Sequence, residues 1–315
     1  MKQAAKEARK PSFLGELFRT KKLGALGLVI LIVFLLIAVF ADVLAPYPMV
    51  NGALQTSVLE KLQSPSLTHL LGTDSLGRDV LSYMIYGCRT SVILGIVCTV
   101  LSTVVSVIIG VASAVIGGVF DLLIQRIVDA WQCVPGMLIM LILMSMMGNG
   151  LLQLIIIIAV PAGIGGSRMV RSAAISVKDS GYSKMSTMLG GGTVWRMIQH
   201  VTPNIMPIII MNMAGSLGGV IMMEASLNFL GFGVDVGTPS WGAMLSGSGR
   251  ANMYRAPWLA MVPGIAIAIM VFASAMLGDG VRDILDPRLK GGVGSYSSSK
   301  IKKIVEQKKR DMHVL

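Results

Sequence analysis

Apolar residues gather in six blocks along the chain, and the segments between them carry nearly all of the charge. The blocks cover residues 23–45, 91–119, 127–147, 151–167, 205–230 and 258–277. At a rise of about 1.5 Å per residue, blocks of this length match a hydrocarbon core of about 30 Å. The first is longer than the apolar core of a secretory signal and runs into Asp42 and Pro46, so it reads as a span. The fourth is the shortest, because Pro161, Gly163, Gly165 and Gly166 interrupt the pattern. The expected fold is all-α: a polytopic integral membrane protein with six transmembrane helices.

Composition agrees. Of 315 residues, 54% are hydrophobic and only 14% are charged, against about 25% charged in soluble domains. With the N-terminus inside, 22 of the 27 Lys and Arg residues fall on inner segments (1–22, Arg126, 168–200 and 282–315). Positive residues are retained on the cytoplasmic side, so both termini are expected there. The net charge of +11 then needs no nucleic-acid partner; a basic tail beside anionic lipid explains it.

Little in the chain suggests chemistry. Cys88, Cys98 and Cys133 lack metal-site or redox spacing, and His69, His200 and His313 are scattered. No phosphate-binding G-x-x-x-x-G-K-[ST] loop is present. The chain is expected to be no enzyme, to bind no metal or cofactor itself, and to rely on another polypeptide for any ATP-driven work.

Two long non-membrane segments stand out. The outer one, 46–90, contains Leu71-Gly-Thr-Asp-Ser-Leu-Gly-Arg-Asp-Val80. By itself this reads as a turn followed by an amphipathic interfacial helix, capped by Thr73 or Asp74, with Arg78 and Asp79 near the headgroups. The inner one separates spans four and five. Met185, Met188 and Leu189 recur at helical spacing, Gly190-Gly-Gly192 breaks the pattern, and Val194, Met197, Ile198 and Val201 resume it until Pro203. Two short helices with apolar stripes follow, to be covered by the chain's own membrane domain or by a soluble partner.

Within the spans, Thr99, Ser102, Ser106, Gly110 and Ser113 share one face of span two. Asn212, Gly215, Gly219 and Ser226 do so in span five, with Gly215–Gly219 forming a G-x-x-x-G. Such faces allow close helix packing and are compatible with lining a narrow polar path. Ionisable residues inside spans are costly. Asp129 has Arg126 at i−3 as a structural ion-pair partner. Glu224 lacks an evident local partner except Asn228 at i+4, and reads equally as a cavity-facing carboxylate or a hydrogen-bond anchor.

These residues resemble the C-type membrane subunit of dipeptide, oligopeptide and nickel importers of the ATP-binding-cassette class. The resemblance covers about residues 20–292. It rests on His69-Leu-Leu-Gly-Thr-Asp-Ser-Leu-Gly-Arg-Asp-Val80, on Asp121…Arg126…Asp129…Pro135, on Glu224-Ala-Ser-Leu-Asn-Phe-Leu-Gly-Phe-Gly233 with Thr238-Pro-Ser-Trp-Gly242, and on Leu277-Gly-Asp-Gly-Val-Arg-Asp-Ile-Leu-Asp-Pro-Arg288. It implies the type I importer permease (MetI-like) fold, with a core over 91–281 flanked by span one and by cytoplasmic tails 1–22 and 282–315. It also implies a bacterial cytoplasmic membrane location, a homologous B-type permease, two cytosolic ATPases carrying ATP and Mg, and an external substrate-binding protein.

The segment 176–204 then corresponds to the loop that docks on an ATPase. The family usually has Glu-Ala-Ala where this chain has Lys184-Met185-Ser186, and Leu where it has Thr202. Gly190, His200, Pro203 and Asn204 fit the pattern. Met185, Met188, Leu189, Gly190 and their neighbours are the expected ATPase-coupling residues. Ser102, Ser106, Asn212, Gly215, Gly219 and Glu224 are candidates for the translocation path. The alternatives are a nickel-chelate or glutathione cargo within the same family, and a secondary transporter that needs no ATPase.

Overall fold

A computed structural model describes residues 13–50, 54, 60–188, 190–235 and 237–285. Regular secondary structure among them is helical throughout. A short helix, α1 (Phe13–Thr20), leads into α2 (Lys22–Val39), and α3 (Ala41–Leu44) follows a break at Phe40. Then come α4 (Val80–Ile116), α5 (Gly118–Cys133), α6 (Gly136–Met147), α7 (Leu151–Lys178) and α8 (Gly181–Met188). Next, α9 (Thr193–Arg196) passes through a π-helical turn, Met197–Val201, into α10 (Thr202–Phe229). Finally α11 (Trp241–Met244), with a π turn at Leu245–Gly249, precedes α12 (Trp258–Leu285). Among the described residues, five helices are long and apolar enough to cross a membrane, and a sixth span results if the bent pair α5–α6 is one.

The helices depart from the hydropathy blocks in several places: the first span ends at Val39 and the last helix runs on to Leu285, and four further departures have a local reason. The helix of span two begins at Val80, before the apolar block at residue 91, because the Asp79 side chain accepts from the Ser82 backbone N–H and caps α4. The supposed separate interfacial helix is therefore the first turns of α4, and the cap is neither Thr73 nor Asp74. Span three is not one rod: α5 and α6 meet at 87°. Pro135 has no N–H to continue the ladder and forces Val134 into extended backbone (φ −93°, ψ 132°).

Span four is continuous through Pro161 and all three glycines. Gly163 and Gly166 serve close approach instead of breaking the helix, whereas Gly165 faces only the Gln132 side chain at ordinary contact distance. A Cβ at Gly163 would lie 2.8 Å from the Ser102 carbonyl oxygen, and one at Gly110 would lie 2.6 Å from that of Ser167. α4 and α7 form the most extensive helix pair for this reason. The second hairpin helix does not stop at Pro203 either. Pro203 sits in the first turn of α10, where its missing N–H costs little, and the π turn carries the chain into it.

Among the described residues, a small buried cluster of α1, α2 and α12 around Leu17 and Ile284 accompanies three larger ones. One joins α2, α4, α10, α11 and α12 around Trp241 and Leu259; one joins α4, α6, α7 and α10 around Leu94 and Ile157. The third joins the ends of α4 and α7 to the start of α10 around Ala174 and Val201.

Candidate functional site

At about 42 Å, α7 outruns the hydrocarbon core by about two turns. Its last turns carry Arg168, Arg171 and Lys178 towards the α8–α9 hairpin. Gly190 turns the chain with φ +85°, a backbone angle that suits glycine. The two apolar stripes then divide. Val201 is fully buried and Met197 packs beside it on α4 and α7. Met185 (62% exposed), Met188 (86%), Val194, Trp195 and Ile198 remain uncovered at the tip.

Between α8 and α9 lies a cavity of about 560 Å³ lined by Met185, Ser186, Trp195 and His200 among others. Ser186 Oγ and His200 Nε2 are buried with no hydrogen-bond partner among the described residues. Trp195 meets the His200 ring edge-on at 4.6 Å. Lys184 lies within α8; Leu189 falls outside the described residues.

The candidate path residues separate into two groups. Ser102, Ser106 and Glu224 are buried between helices. Ser106 Oγ donates to the Gly163 carbonyl at 2.8 Å, and Ser102 Oγ to the Thr99 carbonyl at 3.0 Å. Asn212 is half-buried, whereas Gly215 and Gly219 are exposed. The contacts of α10 with α12 involve Gly218 and the neighbourhood of Gly215, which Gly278 approaches; a Cβ on Gly219 would meet open space. The G-x-x-x-G is thus not a packing pair within this chain.

Glu224, 1% exposed, is an anchor. Its Oε1 accepts from Asn228 Nδ2 at 2.7 Å and Ser240 Oγ at 3.1 Å, and Oε2 from Ser91 Oγ at 3.3 Å. The Asn228 bond is the one that i+4 spacing suggested. Ser91 comes from α4 and Ser240 from the loop before α11, partners that no local pattern reveals. Asn228 Oδ1 in turn accepts from the Val234 N–H at 2.9 Å, fixing the start of that loop.

Charges near the hairpin end are paired both within α5 and between α5 and α7. Arg126 reaches Asp129 at 3.4 Å, both well exposed, and Arg168 of α7 also binds Asp129. Arg171 grips Asp121 with two bonds, Nε–Oδ1 at 2.7 Å and a second at 2.6 Å. The sequence signal for the α7 partners was only that charges near span ends need counter-charges.

At the opposite end, Asp74 closes its own loop by accepting from the Leu76 and Arg78 N–H groups and from the Arg78 side chain at 2.7 Å. His69 is buried, its Nδ1 2.9 Å from Asp79 Oδ1 and its ring stacked on Tyr47. Asp79, 3% exposed in its side chain, therefore lies inside the protein rather than among headgroups. Arg89 ties the broken end of α2 to α4 through the Ala38 carbonyl at 2.8 Å and Asp42 at 2.8 Å. That guanidinium holds the exposed Asp42 carboxyl below the usual carboxylate range.

Comparison with known proteins places this architecture. Residues 106–291 match the family model of the binding-protein-dependent transport system inner membrane component. Residues 16–65 match the N-terminal transmembrane domain of oligopeptide transport permease C. The oligopeptide transport system permease protein OppC of Bacillus subtilis (strain 168) is 35% identical over 273 residues, covering 87% of this chain and 88% of the relative. The glutathione transport system permease protein GsiD of Shigella flexneri serotype 5b is 35% identical over 274 residues, covering 87% and 89%. The dipeptide transport system permease protein DppC of Alkalihalophilus pseudofirmus is 33% identical over 275 residues, covering 86% and 88%. A solved structure of the MetNI methionine ABC transporter in inward-facing conformations aligns with a TM-score of 0.49 at 16% identity, over 63% of this chain and 96% of that one.

Proposed function

Since the chain belongs to the family of binding-protein-dependent transport system inner membrane components, and so is a permease subunit of an ATP-binding-cassette importer, we propose that it forms half of a peptide translocation pathway. The other half is a homologous B-type permease. Two cytosolic ATPases carry the ATP and Mg, and an external binding protein delivers the cargo. Both termini and the α8–α9 hairpin face the cytoplasm, in keeping with the distribution of Lys and Arg.

The observation that carries this reading is the tip of the hairpin. Met185, Met188, Val194, Trp195 and Ile198 are exposed there, and exposed apolar residues on a hairpin that joins two spans favour a protein partner. The chain's own domain already covers Met197 and Val201, so the hairpin is rooted on one side and open on the other. An ATPase groove that takes the open side can move α7 and α10 together, because the hairpin joins them directly. The groove would carry a differential affinity for two nucleotide states into two helix packings. Lys184, in place of the usual acidic residue, means that the matching ATPase surface differs in charge there. Asn212, Gly215 and Gly219, on the accessible face of α10, line the path, while Ser102, Ser106 and Glu224 hold its wall together.

Glutathione is the second reading for the cargo, because a glutathione permease and an oligopeptide permease are equally similar to this chain. Vesicles holding the full importer, with loaded binding protein added outside, test both. ATP-dependent uptake of a labelled di- or oligopeptide is the expected result. Uptake of glutathione alone would favour the second reading, and uptake by the chain without ATPases would overturn both.

A further inference from the structure

Phe13, Leu14, Leu17 and Phe18 of α1 share an arc of about 140° around the helix, with Glu16 and Arg19 on the other side. Only Leu17 turns into the protein, where it is fully buried against Gly24, Gly280 and Ile284. Phe13 (39%), Leu14 (55%) and Phe18 (52%) stay exposed. The corner beneath them is tightly built. The backbones of Gly24 and Gly280 touch so closely that a Cβ on Gly24 would lie 2.9 Å from the Gly280 Cα. Lys21 Nζ donates to Asp283 Oδ2 at 2.6 Å. This fixes α1 to the end of α12.

Depth decides what covers the open face. The first span starts at Lys22, so α1 lies where hydrocarbon gives way to headgroups, and Leu23 and Leu26 continue the exposed apolar surface into the span. Arg19 and Lys22 are both exposed beside it. An amphipathic helix with a basic flank at that depth fits an anionic lipid surface. We propose that α1 lies in the plane of the bilayer interface, with Phe13, Leu14 and Phe18 in the acyl boundary and Arg19 and Lys22 on anionic phospholipid headgroups. The leaflet, cytoplasmic under the proposed orientation, rests on the functional reading above; the contact itself does not.

The test uses the full chain in nanodiscs. Cys88 and Cys98 are buried and Cys133 is exposed, so Phe18→Cys in a Cys133→Ser background takes an environment-sensitive fluorophore at one site. Phospholipid nitroxides should quench the label and aqueous iodide should not. Quenching by iodide in place of the lipid nitroxide would overturn the proposal, as would protection from both, which would mean that protein covers the face. Nitroxide-labelled phosphatidylglycerol should quench at about fivefold lower mole fraction than the phosphatidylcholine analogue. Arg19→Gln with Lys22→Gln should abolish that preference. Equal quenching by the two lipids before those changes would sink the anionic part. Neither ATP nor cargo enters the assay, so it stands or falls separately from the transport reading.

Discussion

Ser240 Oγ donates a 3.1 Å hydrogen bond to Glu224 Oε1, tying the loop before α11 to a carboxylate buried inside the bundle. Ser91 and Asn228 reach the same carboxylate, so three segments converge on one side chain. A glutamine can reproduce this pattern: its oxygen accepts from Asn228 and Ser240 while its nitrogen donates to Ser91. Leucine leaves the three donors buried and unpaired, at about 1–3 kcal/mol each. Glu224→Leu should markedly lower the unfolding temperature in detergent, and Glu224→Gln should fall close to the parent. In a Cys133→Ser background, which removes the exposed thiol, exposure of the buried Cys88 and Cys98 to a thiol-reactive dye during heating reads both.

Close helix approach makes a second prediction. Gly110→Val and Gly163→Val place methyl groups against backbone carbonyls of the facing helix and should each cost about 1–3 kcal/mol. Gly264→Ala points into open space and should leave stability unchanged. The same thermal assay ranks the three variants, and a Gly163→Val protein as stable as Gly264→Ala would contradict the packing.

The two-bond Asp121–Arg171 pair, with side chains 19% and 29% exposed, should couple α5 to α7. A double-mutant cycle through Asp121→Asn and Arg171→Gln should give an interaction energy on the order of 1 kcal/mol. The cycle at Arg126–Asp129, which is longer and more exposed, should give less. Equilibrium unfolding in mixed micelles measures both.

At the hairpin, Met188→Asp and Ile198→Asp put charge on surface that is exposed in this chain, so folding and membrane insertion should be unaffected. In the assembled importer, docking on the ATPase should fail. Stimulation of ATP hydrolysis by the loaded binding protein should drop about tenfold or more, in line with the loss of buried apolar contacts at an interface centre. Undiminished stimulation would remove the hairpin from the coupling route.

Much of the architecture was legible from residue pattern because bilayer thickness alone sets the length of an apolar block. Order of the spans, their helical nature and the apolar stripes of the hairpin all follow from local sequence. So does the Glu224–Asn228 bond, since i+4 neighbours meet on any helix. Family membership was legible too, through motifs whose residues carry it whatever their geometry.

What the sequence left open depended on which distant segments meet. Gly163 reads as a helix breaker until Val105 and Ser102 are seen against it. Asp129 reads as a partner for Arg126 until α7 brings Arg168 alongside. Asp79 reads as a surface charge until the fold buries it as a helix cap beside His69. Hydropathy records whether a residue avoids water, which is a property of the residue alone. Packing, pairing and burial of charge belong to contacts between helices far apart in the chain, and only the tertiary structure selects those.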